Sequence, residues 1–195
     1  MKRILIAASA GIIALTSLQS CQRKITRVDP EEVIDLSGRW NDTDARLAAE
    51  ELVFQSITAD WINEYRAETG KKPVIIVGLV RNKSHEHISA ETIIKEIEKE
   101  YVKSGKAKIV QGGAMRDELR AERADQQTNS SRSTVKKFGL EKGADFMLQG
   151  TINSNVDSYK SKKTVSYEID LELTNIQTNE KVWFGDKKIK KFVKN

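Results

Sequence analysis

The sequence predicts an α/β fold: a mixed sheet of about five strands with an antiparallel C-terminal meander, packed by about four helices. Three observations carry this. The first half holds amphipathic stretches with apolar residues at helical spacing. "KPVIIVGLVRN" after the first of them is a continuous apolar run, as in a strand buried on both faces. The final third alternates apolar and polar residues at period two. With 195 residues, 38% of them hydrophobic, and only two prolines, the chain has the length and composition of one ordered domain.

The elements follow in order. "SGRWNDTDARLAAEELVFQSITADWINEYRAETG" reads as one long helix. Asn41 or Asp42 caps it, Thr43 and Asp44 occupy the favourable first turn, and Gly70 ends it. Leu47, Phe54, Ile57, Trp61 and Tyr65 form its apolar stripe, expected to face the core. After the strand at Pro73, "ISAETIIKEIEKEYVKSG" is a second helix, capped at Ser89 with Ile93, Ile94, Ile97 and Tyr101 inward. "AKIVQGG" is a short strand. "AMRDELRAERA" is a third helix, followed by polar "DQQTNSSRS". A fourth, "TVKKFGLEKG", is expected to stop at Gly143 in a left-handed cap. "DFMLQGTINSNVDSY" and "TVSYEIDLELTNI" are strands, the second with Val165, Tyr167, Ile169, Leu171 and Leu173 inward. "QTNEK" turns into the last strand, "VWFGDKKIKKFV". Ser166, Glu168, Asp170 and Glu172 face outward, so one sheet face is not wholly covered by helices.

The N-terminus carries a different signal. Lys2 and Arg3 precede the apolar run "ILIAASAGIIALTSL", which has the length and flanks of a secretory signal and is too short to span a bilayer. "LQSC" resembles a lipobox, with Leu18 three residues before Cys21, the one cysteine of the chain. That resemblance implies cleavage after residue 20 and lipid attachment at Cys21, with acyl chains as the membrane anchor. Residues 1–20 are then the signal peptide, 21–36 the lipidated N-terminus and a tether of at most ~50 Å, and 37–195 a globular domain. Gln22, not aspartate, follows the cysteine, so sorting to the outer membrane, facing the periplasm, is expected by resemblance.

Composition and motifs speak against chemistry in the body. There are 33 basic and 28 acidic residues, a mixture without a nucleic-acid footprint. Removing residues 1–20 removes two positive charges from +5 and leaves +3. "HEH" (His85 to His87) lacks the i, i+4 spacing of paired metal ligands, and a solvated loop is the better reading. Gly112 and Gly113 before a helix lack the surroundings of a phosphate loop and read as a helix-entry turn. "KKIKKF" reads as a charged edge strand guarding against sheet-to-sheet pairing. No catalytic residue, cofactor or metal is expected.

Two stretches, "DLSGRWNDTDARL" (35–47) and "GLEKGADFMLQGTI" (139–152), resemble the signature regions of the LpoB-type lipoproteins that activate bifunctional penicillin-binding proteins. The second element also has a likeness in curli-secretion lipoproteins and in the N-terminal domain of the Tol-system propeller protein. In physical terms, Asp35 and Ser37 can bond the chain turning at Gly38, so that Trp40 folds back as an apolar plug. Asp145 can bond backbone amides as the chain enters the sheet. Both motifs are expected to build the fold and to leave the partner-binding surface unidentified. The resemblance implies a monomeric outer-membrane lipoprotein, not an enzyme, that docks on a non-catalytic domain of a bifunctional penicillin-binding protein and regulates cell-wall peptidoglycan synthesis. The alternative is an envelope-assembly or secretion-associated scaffold lipoprotein.

Overall fold

The structure, a computed structural model, describes residues 25–194. The chain divides between residues 32 and 33. In the described part of the first unit, residues 25–32 are exposed and make a turn in which Glu32 N–H donates to Asp29 O at 3.0 Å. Cys21 and the signal segment lie outside the described residues.

The second unit is the α/β body. Its elements are α1 (Asp42–Thr58), α2 (Trp61–Thr69), β1 (Val74–Asn82), α3 (Ala90–Ser104), β2 (Lys108–Val110), α4 (Gly113–Asn129), β3 (Phe146–Tyr159), β4 (Lys162–Asn175) and β5 (Lys181–Lys194). The five strands form one sheet in the order β2-β1-β3-β4-β5. β1 pairs parallel with β2 and β3, whereas β3, β4 and β5 form the expected antiparallel meander.

Period-two alternation places the core. On β4, Val165, Tyr167, Ile169, Leu171 and Leu173 are all buried, in one cluster with Ile75, Leu148 and Ile152 of the neighbouring strands and with the inward residues of α1 and α3. On α3 the inward residues are Ile93, Ile97 and Tyr101, with Ile94 packed at the margin. Each fully buried aliphatic side chain here contributes about 1.5–3 kcal/mol.

The structure corrects the sequence reading in three places. The expected long helix is two. Thr58 ends α1 by turning its hydroxyl onto the carbonyl of Phe54 at 2.8 Å, and Ala59 is extended. Trp61, opening α2, then donates its indole N–H to the Ser56 carbonyl at 2.8 Å, satisfying a buried acceptor at the break. The expected stripe holds at Ile57, Trp61 and Tyr65 and is rotated before them. Leu47 and Phe54 are exposed, and α1 buries Ala45, Ala48, Ala49, Leu52, Val53 and Ser56 instead. Alanines allow the helix axis to approach, and the volume is supplied by Tyr101, whose hydroxyl donates to Ser56 Oγ at 2.7 Å. Third, residues 134–143 form no helix, and α4 is longer than expected, reaching Asn129. Gly139, not Gly143, takes the left-handed conformation (φ +72°). The chain there is tied side-on to α4, with Gln127 donating to the Lys136 carbonyl at 2.8 Å.

Close strand approach at β3/β4 depends on Gly150, where a Cβ would stand 2.2 Å from the Asp170 carbonyl and 2.5 Å from Leu171 Cδ2. Gly150→Ala is expected to force these strands apart and lower stability by about 1–3 kcal/mol, read as a fall in the denaturant midpoint at unchanged slope.

Candidate functional site

The two signature regions become two polar knots. In the first, the chain turns at Gly38 (φ +68°), where a Cβ would collide with Val193. Asn41 caps α1: its side chain accepts from Asp44 N–H, and the Asp44 carboxylate accepts from Asn41 N–H, both at 3.0 Å. The same carboxylate oxygen accepts from Lys191 Nζ at 2.6 Å. Lys191 lies on β5, in the run read as a charged edge, yet it is only 8% exposed. Its inward register position, opposite Val165, explains this. Its other two protons go to Asp35 Oδ1 at 2.6 Å and the Arg39 carbonyl at 3.0 Å, so all three donors of the ammonium are used. Asp35 also accepts from Asn41 Nδ2 at 2.8 Å.

These contacts set the charges. Hydrogen bonding to Lys191 holds the Asp35 carboxyl below its ordinary value. Burial works against the charge on Lys191, and the hydrogen bonds from its ammonium to Asp35 and Asp44 outweigh it, so its pKa is raised.

Trp40 does fold back as a plug, its ring edge-on to Tyr167 at 5.4 Å. Its amide donates to Glu86 Oε2 at 3.1 Å, and Tyr167 Oη donates to Glu86 Oε1 at 2.7 Å. The "HEH" loop is therefore not simply solvated: Glu86 is a half-buried buttress for the first signature. Glu86 was legible only as a histidine neighbour, because no local pattern announces a contact across 81 residues. His85 lies with Nδ1 2.6 Å from Ser154 Oγ and Nε2 3.4 Å from Glu86. Ser154, His85 and Glu86 thus stand in series, but Ser154 Oγ already accepts from His85 N–H at 3.0 Å and Glu86 from Tyr167. They clasp a loop to β3 and offer no activated nucleophile.

In the second knot Asp145 performs as expected and does more. Its Oδ2 accepts from Val74 N–H at 2.8 Å and from Tyr65 Oη at 2.7 Å. Burial and that carboxylate push the Tyr65 hydroxyl upward. Next to it, Phe146 receives Trp61 and Tyr65 edge-on at 5.1 and 5.3 Å. Helix α2 and the start of β1 are thus stapled to the entrance of β3 by one carboxylate.

Outside the knots, the outer sheet face holds a concavity of about 330 Å³ between Leu79, Arg81, Asp170 and Phe184. Burial, followed by the nearby Glu168 charge, raises the Asp170 carboxyl. Gly112 and Gly113 form the turn into α4, with Gly113 left-handed (φ +55°). Among the described residues no group of three or more His, Cys, Asp or Glu is placed to hold a metal. Among them, too, no helix is long and apolar enough to cross a membrane.

The family model described as "Peptidoglycan-synthase activator LpoB" matches residues 44–189. Among solved structures, the LpoB C-terminal domain from Salmonella enterica is similar at 19% identity, covering 75% of this chain and 98% of that one, with a TM-score of 0.47. The LpoB C-terminal domain from Escherichia coli is similar at 18% identity, with the same coverages and a TM-score of 0.48. Lipoprotein GNA1162 from Neisseria meningitidis is similar at 12% identity, covering 62% of this chain and 83% of that one, with a TM-score of 0.41. No curated protein matches.

Lys191→Met is expected to leave Asp44 buried without its cation, a loss of about 3–5 kcal/mol, and so to lower the melting temperature by on the order of 10 °C. The pH dependence gives an independent check. The depressed Asp35 contributes stability above its ordinary value of 3.8, lost as pH falls through the lower folded value. The raised Lys191 contributes below 10.5, lost as pH rises through the higher folded value. Melting temperatures across pH should show both losses in the wild type, and the variant should weaken both limbs, the raised hydroxyls of Tyr65, Tyr101 and Tyr167 keeping part of the alkaline one.

Proposed function

This chain belongs to the LpoB family of peptidoglycan-synthase activators, and on that premise we propose that it is an outer-membrane lipoprotein, anchored through Cys21, whose body binds and stimulates a bifunctional penicillin-binding protein. The observation that carries the reading is the family match across residues 44–189, which takes in every helix and strand of the body except the ends of α1 and β5. The "LQSC" sequence supports the anchor.

An activator without catalytic groups works by binding the competent state of its synthase more tightly than the idle one. A stimulation of tens-fold needs only about 1–3 kcal/mol of such coupling, within reach of a modest interface. Docking on a non-catalytic domain of the synthase leaves its active sites open to glycan and peptide substrates. The tether of residues 21–36, whose Asp35 is already held to the body by Lys191, reaches less than ~50 Å from the lipid, which requires the synthase domain to lie close to the anchor.

The test is reconstitution. The body, residues 22–195, added to the bifunctional synthase of the same cell should bind at micromolar concentration or better and raise the rate of glycan polymerisation or of crosslinking. Failure to bind any synthase of that cell overturns the reading. For the anchor, Cys21→Ala should abolish metabolic labelling with a fatty acid and leave an uncleaved precursor, while the body keeps its far-ultraviolet spectrum. An unlabelled wild type would remove the anchor from the proposal.

A further inference from the structure

Residues 113–143 leave the body and return to it without a single buried residue. An isolated helix of the length of α4, 17 residues, is marginal in water, and tertiary packing usually supplies the rest of its stability. Here that packing is largely missing. Arg116, Arg120 and Arg123 recur on one side of α4 at the spacing that aligns side chains. Alongside them run residues 138–142, and two adjoining hollows lie between. One, of about 190 Å³, is lined by Leu119, Arg116, Arg123 and Lys142. The other, of about 400 Å³, is lined by Arg120, Arg123, Phe138 and Gly139.

The charge in this cleft is unbalanced. Arg116, Arg120, Arg123 and Lys142 converge on it, against Glu141 in its lining and Asp117, which stands 3.4 Å from Arg120 Nη1. Arg116 also donates its Nε to the Gln111 carbonyl at 2.7 Å and keeps its outer nitrogens for a ligand. Lys108 stands against Lys142, and hydrogen bonding to it together with its charge holds the Lys142 ammonium below its usual value. Glu141 shows what the cleft accepts. Its Oε1 takes hydrogen bonds from Arg120 Nε at 3.1 Å and Arg123 Nη1 at 2.7 Å, and its Oε2 from Arg120 Nη2 at 3.2 Å. The two guanidinium groups, Arg120 first, hold its carboxyl at about 2. Around the fork, Leu119, Phe138 and Leu140 are 50%, 55% and 74% exposed.

We propose that this cleft is the docking site for an acidic segment of the partner synthase, its carboxylates seating on Arg116, Arg120 and Arg123 in place of Glu141 and its apolar side chains covering Leu119 and Phe138. The inference rests on the activator reading above and adds the surface and the chemistry. A protein segment fits better than an anionic membrane, because the cations converge on a forked, carboxylate-shaped site flanked by apolar side chains instead of spreading over a flat face. A second copy fits poorly, since the mature chain, at +3 once the two charges of residues 1–20 are removed from +5, meets itself as a like charge.

The experiment measures binding of the mature, lipid-bearing chain in detergent micelles to the purified bifunctional synthase, at two salt concentrations. Arg120→Glu with Arg123→Glu should weaken binding by about tenfold or more and remove most of its salt dependence. Glu141→Gln should tighten it about threefold, because the internal competitor no longer occupies the fork; a purely structural ion pair would make the same change weaken it. Since the segment holds no fully buried residue, both variants should keep a melting temperature close to that of the wild type. If the wild type binds and stimulates but the arginine variant binds equally, the cleft is wrong and the activator reading stands. If the wild type binds no synthase, both fall. Arginine-dependent binding to phosphatidylglycerol–phosphatidylethanolamine vesicles with unchanged synthase affinity, or arginine-dependent self-association in sedimentation, would also overturn the proposal.

Discussion

The body is organised around one buried ammonium. Lys191 comes from the last strand, and its three protons end on Asp35 and Arg39 before the first helix and on Asp44 inside it. A charge in that position is costly unless every donor is matched, and here the match fixes the geometry of three separate pieces of chain. Asp44 cannot serve the lysine without also closing the cap with Asn41, so the start of α1 and the register of β5 are set together. With α1 placed, the alanines at 45, 48 and 49 lie against the core, and the sheet is covered on one face.

Carboxylates elsewhere act in the same manner over shorter distances. Asp145 ties β1 and α2 to the start of β3, and Glu86 ties the loop after β1 to Trp40 and Tyr167. Each accepts from partners on two elements, one a backbone amide and one a tyrosine hydroxyl. The residues that mark the family signatures are therefore chiefly devices for closing the fold. A surface that meets another protein has to be sought away from them.

The strands were the most legible part of the chain, because alternation at period two in β4 directly lists the inward side chains, and all five inward residues are buried. Helix α3 was legible for the same reason at its own period. Helix α1 misled, since reading the largest apolar residues as inward placed Leu47 and Phe54 in the core, whereas the tight approach to the sheet selects alanine and serine. The stretch after α4 misled in another way: "TVKKFGLEKG" reads as a fourth helix stopped at Gly143, and no core lies beneath it to hold one. Asp145 could be read locally, as a carboxylate beside free amides at a strand entrance. Lys191 could not, because its meaning lies in partners 147 and 156 residues away.

The segment from Gly113 to Gly143 is attached to the body at its ends and contributes nothing to the core. In evolutionary terms it is a region of low constraint from folding: charge, apolar content and even length can change there with little effect on whether the sheet and its helices assemble. Loops of this kind tolerate insertion and divergence far better than the elements that they join. A lineage can therefore change what this arm presents, one substitution at a time, without passing through unfolded intermediates. The arm can drift while the knots at Lys191 and Asp145 hold the fold constant.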